Sequence, residues 1–562
     1  MDSIDDKPVT HSNCEIATQA MGDIAITCSL SQKQANLTKR VETLSSIANA
    51  IRLSSIPGIR DIVVSPDRVT VVYDPLLIDC FATLEAKIHI ALTHLQPPST
   101  SGKLHDVPVW YGGDTGPDFD AVCRSHAIDG KTLIQLHTEP EYLVTAIGFV
   151  PGFPYLEGLP ETLETPRLST PRRRVPAGSV GIGGSQTGVY PFDTPGGWHL
   201  IGKTDTNLFN PINDPPALLQ SGDRVRFHET DSVNMAPDPT ASIAPECVTQ
   251  TNITILQPGL MTTVQDLGRS GFRSSGVPSG GVADRVSAML ANSILGNPEN
   301  AALLEYTILG PTLQFQTDTV IALTGAADDS LATLRPLRVR RGDTLHLGHA
   351  AKGCRGYLAV AGGICVPAIL NSYSTYAPAK LGGYGGRPLQ TGDQLAIGNP
   401  LVTSFSTTWS LNHDVVPLPA NPCTLKILPE GPLSNAHHAI INKPMHVTAQ
   451  SDRMGIRFRE TLPPLSATPL SRAVLPGTIQ LPPDGRPILL LCDAQTIGGY
   501  PVLGHLIAAD LPRAAQLRPG DTVCFSETTL AEAHRLLRHQ HNMLATIQQG
   551  INHTLGLAEK AE

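Results

Sequence analysis

Several groups of side chains in this 562-residue sequence have the make-up of reactive sites. His137 lies a few residues ahead of Tyr142, and an imidazole that titrates near neutrality is a natural acid/base group. Asp266 and Arg269 share a polar turn, TTVQDLGR, that leads into a glycine-rich segment. Asp493, Gln495 and Thr496 follow the apolar run ILLLC, which places them at a strand end, where the mouth of a barrel would bind a ligand. Arg167, Arg172, Arg173 and Arg174 crowd one loop, and guanidinium groups grip phosphate and carboxylate in pairs of bonds. Three glycine-rich stretches, GSVGIGG (178–184), TPGGW (194–198) and GGYGGR (382–387), can expose backbone N–H groups to a developing oxyanion. The same glycines would serve equally as tight barrel corners. Collectively these groups can bind an anion, polarise a carbonyl and move a proton.

TPGGWHLIGKT also contains a literal Gly-x4-Gly-Lys-Thr, from Gly197 to Thr204. A phosphate-binding P-loop needs a strand before it and a helix after it. Here Trp198 to Ile201 are bulky and strand-like, and the following TDTNLFNP is turn-like. The match is therefore not read as a P-loop, although Lys203 can still meet phosphate as a point charge. Asp284, Asn292 and Glu305 read as structural, with Asp284 capping a helix that starts near Arg285.

The elements that must carry these residues are mostly strands. Fifty glycines and 48 prolines, with only 16% charged residues, describe many short strands joined by tight turns. Leu37, Val41, Leu44, Ala48 and Ile51 alternate steps of four and three, which predicts one helix with a single apolar face. A second helix is predicted over Ala82–Leu95, and strands over Ile24–Ser29, Ile59–Val64 and Val69–Tyr73. Helical periodicity then recurs only near Asp118–His126 and, at the end, over Leu530–Gln549; residues after Gly550 read as a frayed tail. His137 follows an apolar, strand-like run. Four Gly-Asp turns each feed an alternating strand, at SGDRVRFHE (221–229), RRGDTLHLG (340–348), TGDQLAIG (391–398) and PGDTVCFS (519–526). They suggest repeated β-barrel-like units. The expected domains are a small α+β unit over 1–98, barrels over 99–228, 252–400 and 401–550 (the last with the terminal helix), and a polar linker at 229–251.

A net charge of −9 argues against a nucleic-acid or anionic-membrane binder. No apolar run is long enough to span a bilayer, and the acidic, polar start is not a signal peptide. Ten cysteines without metal-site spacing read as reduced thiols of a cytoplasmic protein, with no metal site.

Long motifs in the first half, GFVPGFPYLEGLP (148–160), PRRRVPAGSVGIGGSQTGVYP (171–191) and TPGGWHLIGKT (194–204), resemble the KipI family, also called allophanate hydrolase subunit 1. The second half carries PGLMTTVQDLGRSGFRSSGVPSGGVADRVSAMLANSILGNPENAALLEYTILGP (258–311), SDRMGIRF (451–458) and VLPGTIQLPPDGRPILLLCDAQTIGGYPVLG (474–504), and resembles the KipA family, allophanate hydrolase subunit 2. The resemblance implies a mainly β fold: an α+β N-terminal domain and three cyclophilin-like barrels. It implies the B and C components of an ATP-dependent 5-oxoprolinase, with magnesium. These would act beside the A component, a LamB/YcsF-type protein, to hydrolyse 5-oxoproline to glutamate. Catalysis would fall to His137, Asp266, Arg269 and Asp493. Binding of substrate or nucleotide would fall to Pro151, Tyr155, Arg174, Ser179, Gln186, Thr187, Lys203, Gln265, Lys380, Arg387, Gln495 and Thr496. Similar KipA proteins carry Ser-Arg-Ser-Thr-Asp and a further Arg where this sequence has Tyr373, Tyr376 and Pro378; Lys380 is the candidate replacement for the lost charge. The alternatives are a urea- or allophanate-type carboxyltransferase or amidolyase module, which in urea carboxylase sits beside biotin domains that nothing here resembles, and a regulatory binding protein.

Overall fold

Two periodicities in the first ninety residues build a sheet backed by helices, as the sequence implies. In the computed structural model, which describes residues 9–11, 14–30, 36–78, 80–93, 102–231, 252–430, 435–441, 443–465 and 470–557, an antiparallel sheet runs in the order Val9–His11, Cys14–Met21, Ala25–Leu30, Arg68–Tyr73, Ile59–Val64. Helix Leu37–Leu53 is capped by the Asn36 side chain and buries Val41, Leu44, Ile47, Ala48 and Ile51. It shares one core with helix Phe81–Leu92 and the sheet. The strand Cys14–Met21 goes beyond the expected elements, and most of the expected linker lies outside the described residues.

Next comes a barrel hydrogen-bonded all the way round. Its order is Ser179–Gly183, Gln186–Val189, Pro154–Glu157, Glu141–Ile147, Arg224–Glu229, Leu104–Tyr111 and His199–Lys203, which pairs back onto the first. The literal Gly-x4-Gly-Lys-Thr thus lies on and around a barrel strand, with no helix after it. His137 sits on a helix, Gly130–Thr138, rather than after a strand. Asp129 caps that helix, its side chain accepting the Thr132 N–H at 2.7 Å.

The second half has two further β units. Residues 252–400 fold as two five-stranded sheets, one around Ile253–Gln257 and one around Arg355–Val360, closing over a shared core that includes Ile255, Leu304, Phe315 and Leu358. Residues from Cys423 to Glu527 form a seven-stranded open sheet around its own core. Of the three barrels expected, one is therefore closed and two are left open in their hydrogen bonding.

The Gly-Asp repeat is real as local structure. Gly222, Gly342, Gly392 and Gly520 all have φ between 90° and 98°. In each turn the aspartate side chain accepts the N–H of the residue three before it: Gln220, Arg340, Gln390 and Arg518, at 2.7–2.9 Å. Each turn launches the strand that follows. The first and last copies lay that strand parallel to the opening strand of their unit, which ties the unit's two ends together. The terminal helix, Leu530–Leu555, runs past Gly550 and ends at Gly556 in the left-handed region; its Ile551 packs under helix Arg285–Ile294. The eight cysteines whose side chains are described are free thiols.

Candidate functional site

The two halves meet along a seam built from glycine loops. Gly276 has φ +77°, and a Cβ there would lie 2.7 Å from the Val150 carbonyl and 3.3 Å from both the Gly148 Cα and the Gly152 nitrogen. The Gly152 N–H donates to the Ser275 carbonyl at 2.9 Å. A Cβ at Gly148 would come within 2.3 Å of Ile497. Bare backbone on both sides is what permits this approach. Val63, Ala146, Ala473 and Ile497 pack together at the same seam, with Tyr155 against them.

Arg273 locks the junction. Fully buried, it donates its backbone N–H to Asp61 of the N-terminal sheet at 2.9 Å and its guanidinium to the Val474 carbonyl of the C-terminal unit. Burial raises the Asp61 carboxyl above the usual carboxylate range, with the Arg273 charge opposing.

Beside this lock opens a cleft of about 600 Å³, walled by both halves. From the first half come Arg60, Asp61, Tyr73 and Asp74; from the second come Gly268, Arg269, Arg273, Ser279, Gly280 and Arg285, with Cys492 and the terminal helix closing one side. Its volume lies within the range of small-molecule and cofactor sites. Four arginines line it against three carboxylates, Asp61, Asp74 and Glu299, with Arg60 paired to Asp74 at 2.6 Å.

Under the cleft floor lies a buried ionic network. Arg453 donates to both carboxylate oxygens of Asp493, at 2.7 and 3.1 Å, to Glu305, and to the Gly281 carbonyl at 2.5 Å. Glu305 also accepts from Tyr357 at 2.9 Å and from the Ala283 N–H at 2.7 Å. Burial alone would raise Glu305, but Arg453, Arg355 and those donors hold it below its ordinary value. Asp266 accepts from the Ser372 and Ser374 hydroxyls and from the N–H groups of Gly268 and Tyr373, at 2.5–2.8 Å. It thereby pins the 372–374 segment over Arg269, whose Nη2 donates to the Ser374 carbonyl at 2.5 Å. Asp284 is the N-cap expected, accepting from the Ser287 N–H at 3.0 Å, and burial raises it to about 6.

The structure therefore gathers Asp266, Arg269 and Asp493 around one end of the cleft. Gln265 joins them from below, donating to the Thr375 carbonyl at 3.2 Å. Thr496 and Pro151 stand at the seam, and Gln495 bonds Gln480 at 3.4 Å. The remaining candidates lie elsewhere. Arg174 forms an exposed pair with Asp193 at 2.6 Å. Burial would raise Asp193, but the Ala177 N–H, Arg174 and nearby Lys380 bring it below its ordinary value. Arg387 binds Asp393 of a Gly-Asp turn through two bonds, at 2.7 and 2.9 Å. Gln186 bonds Glu157 at 2.6 Å, and Ser179 pairs with Lys203 across two barrel strands.

His137 occupies the interior of the closed barrel, away from the cleft. Its ring bonds Tyr111 at 2.7 Å and Thr187 at 2.9 Å, and stacks on Phe227 at 4.7 Å. Both partners are hydroxyls, which suit a neutral ring with one donating and one accepting nitrogen. Burial pushes its pKa down from 6.5 to about 3. Because the folded value lies below the unfolded one, its contribution to stability is complete above pH ~6.5 and declines as the pH falls from there toward 3, by about 1.4 kcal/mol per pH unit. Denaturant midpoints at pH 7 and pH 4.5 should show a shallower acid loss for His137→Gln than for the parent chain.

Residues the sequence did not single out are Asp61, Arg273, Arg453, Glu305 (read as purely structural), Arg60 and Asp74. Arg273, Arg453 and Glu305 stood inside the quoted motifs; Arg60, Asp61 and Asp74 lie outside them. The inner end of the cleft fits an oxyanion: Nε and Nη1 of Arg269 and Nε of Arg273 are buried without hydrogen-bond partners among the described residues. For ATP, Arg285 at the rim, and Arg60 once it leaves its 2.6 Å pair with Asp74, would hold a phosphate chain. Magnesium in nucleotide sites keeps phosphate and water ligands and needs one or two carboxylates; Asp74 on the cleft wall would supply one.

Residues 16–219 match the family model for the carboxyltransferase domain, subdomain C and D, and residues 275–527 match that for subdomain A and B. The chain is 46% identical over 180 residues to the 5-oxoprolinase B subunit of Haemophilus influenzae, covering 32% of this chain and 84% of that one. It is 36% identical over 315 residues to the 5-oxoprolinase C subunit of the same organism, covering 53% of this chain and 98% of that one. Urea amidolyase of Lachancea kluyveri is 31% identical over 336 residues, 54% of this chain but only 18% of that protein. Among solved structures, the crystal structure of TTHA0988 superposes with a TM-score of 0.77 at 31% identity, covering 90% of this chain and 100% of that one. Among the described residues no helix is long and apolar enough to cross a membrane.

Proposed function

Since the chain belongs to the carboxyltransferase-domain family of the 5-oxoprolinase B and C components and carries one unit of each kind, we propose that it is a fused B–C component that activates 5-oxoproline for ATP-dependent hydrolysis to glutamate, with a separate LamB/YcsF-type protein completing ring opening. The observation that carries this reading is an arginine-rich cleft whose walls come from both halves. A cleft of that kind gives a reason for the two halves to share one chain.

A lactam carbonyl is a poor electrophile. Its oxygen must be phosphorylated, or its developing charge met by fixed donors, before water can attack. The rim arginines Arg60 and Arg285 would hold the phosphates. Arg269 and Arg273, each 2% exposed, would face the lactam at the inner end. Asp266 and Asp493 act as positioning residues, because their oxygens are committed to Ser372, Ser374 and Arg453. The second reading is carboxyl transfer to a urea-type acceptor, favoured by the family-model description and by the urea amidolyase likeness.

The purified chain should be assayed with a LamB/YcsF-type partner and ATP, adding 5-oxoproline, urea or allophanate. ADP and glutamate in equal amounts with 5-oxoproline alone are the expected result. ADP formation driven by urea or allophanate would replace this reading with the second. No turnover with any of the three would overturn the enzymatic reading in favour of a regulatory binding protein.

A further inference from the structure

Arg269 is short of acceptors. It is 2% exposed, its Nη2 bonds the Ser374 carbonyl at 2.5 Å, and its Nε and Nη1 meet no hydrogen-bond partner among the described residues. Its two nearby carboxylates do not supply the missing bonds. Asp266 is occupied by the 372–374 segment and the Gly268 N–H, and Asp493 by Arg453. Burial lowers the Arg269 pKa, with Asp266 and Asp493 opposing only at a distance. A second buried donor stands in its field: the Tyr376 hydroxyl, on a residue 1% exposed, also has no partner among the described residues. Leaving a buried guanidinium N–H unmet is costly, more so than for a neutral donor.

Arg269 lines the cleft, and its Nη1 lies just under the cleft surface. Gly280 lines the cleft at φ +60°, and a Cβ there would lie 3.3 Å from Arg269 Nη1 and 3.8 Å from Asp493 Oδ1. With no side chain on Gly280, only its backbone lies between Nη1 and the cleft.

We propose that Arg269, beneath Gly280, forms a subsite for the carboxylate of a small substrate, with the unpartnered Tyr376 hydroxyl as its second donor. One guanidinium and one hydroxyl match a singly charged, planar oxyanion. A dianionic phosphate would meet the Asp493 carboxylate on the same wall. The inference rests on reading the cleft as the substrate site, and it adds a requirement: the substrate bears a carboxylate besides its amide, so a neutral amide such as urea leaves Arg269 unmet.

Calorimetry on the full chain tests this without turnover. The probes are 5-oxoproline, 2-pyrrolidinone (the same lactam without the carboxylate), acetate and inorganic phosphate. The parent chain should prefer 5-oxoproline over 2-pyrrolidinone by about ten-fold or more, the range expected for hydrogen bonds to a charged group. Arg269→Gln should abolish that preference. Tyr376→Phe, which removes one oxygen and keeps the ring, should reduce it several-fold; thermal melts would check that both variants fold. A preference unchanged in both variants overturns the subsite while leaving the oxoprolinase reading standing. Arg269-dependent binding of acetate without binding of 5-oxoproline supports the subsite and sinks that reading. Arg269-dependent binding of phosphate alone, or no binding of any probe, overturns the carboxylate assignment.

Discussion

Arg453→Met is expected to destabilise the protein by about 3–5 kcal/mol, the cost of stripping one partner from a buried ion pair. Arg453 is 4% exposed and is the common partner of Glu305 and Asp493, which come from different β units. Without it, two buried carboxylates lose their main counter-ion, and Arg355 remains as the cation near Glu305. The pH dependence follows from the sign of that change. Burial, no longer opposed by Arg453, would then lift the Glu305 carboxyl toward and above its unfolded value, so its neutral form would be favoured in the folded state. The deficit should therefore be larger at pH 8 than at pH 5, and urea midpoints at the two values would measure it. Arg453→Lys should recover only part of the loss, since a single ammonium cannot reproduce the fork that spans Asp493, Glu305 and the Gly281 carbonyl. A midpoint shift below about 1 kcal/mol in the methionine variant would mean that the network contributes little.

The second large effect is expected at the seam. Gly276→Val places branched carbon where the Val150 carbonyl stands 2.7 Å from a Cβ, at a φ of +77° that valine does not tolerate. The Gly148–Gly152 loop must withdraw, and with it the bond from the Gly152 N–H to the Ser275 carbonyl. Each β unit keeps its own core, so the stability cost should stay near 1–3 kcal/mol. Turnover should fall by about 100-fold, since a displacement of about 1 Å in the walls of a site can have that consequence. Melting curves and steady-state rates on one preparation separate the two effects. Unaltered turnover would show that the halves need not meet closely for activity.

What was legible in the sequence was whatever periodicity and turn chemistry dictate locally. The four-and-three spacing through Val41, Leu44, Ala48 and Ile51 marked a helix face that is buried throughout. The Gly-Asp turns marked four strand starts. Helix Gly130–Thr138 was hidden because Leu133, Ile134 and Leu136 crowd together as in a strand; the overlooked signal was Asp129, an N-cap directly before it. The terminal helix was cut short because Gly550 was read as its end, whereas the stop is Gly556, the glycine in the left-handed region. Within the site, Asp266, Arg269 and Asp493 could be chosen because polar residues at a turn or strand end stand out. Arg60, Asp61 and Asp74 could not, since they look like ordinary edge residues of an N-terminal sheet. They belong to the cleft only because glycine loops at 148–152 and 276–281 bring the two halves into contact. His137 shows the converse: a residue type suited to catalysis can fill a barrel core when its polar partners are folded in with it.

The central claim, activation of a lactam oxygen by the fused chain, is tested most directly by the fate of that oxygen. 5-Oxoproline labelled with heavy oxygen at its ring carbonyl would be turned over with ATP and a LamB/YcsF-type partner, and the products examined by mass spectrometry. If the carbonyl oxygen is phosphorylated before water opens the ring, one labelled atom leaves in each inorganic phosphate formed. Glutamate that retains the whole label, with unlabelled phosphate, would contradict the account.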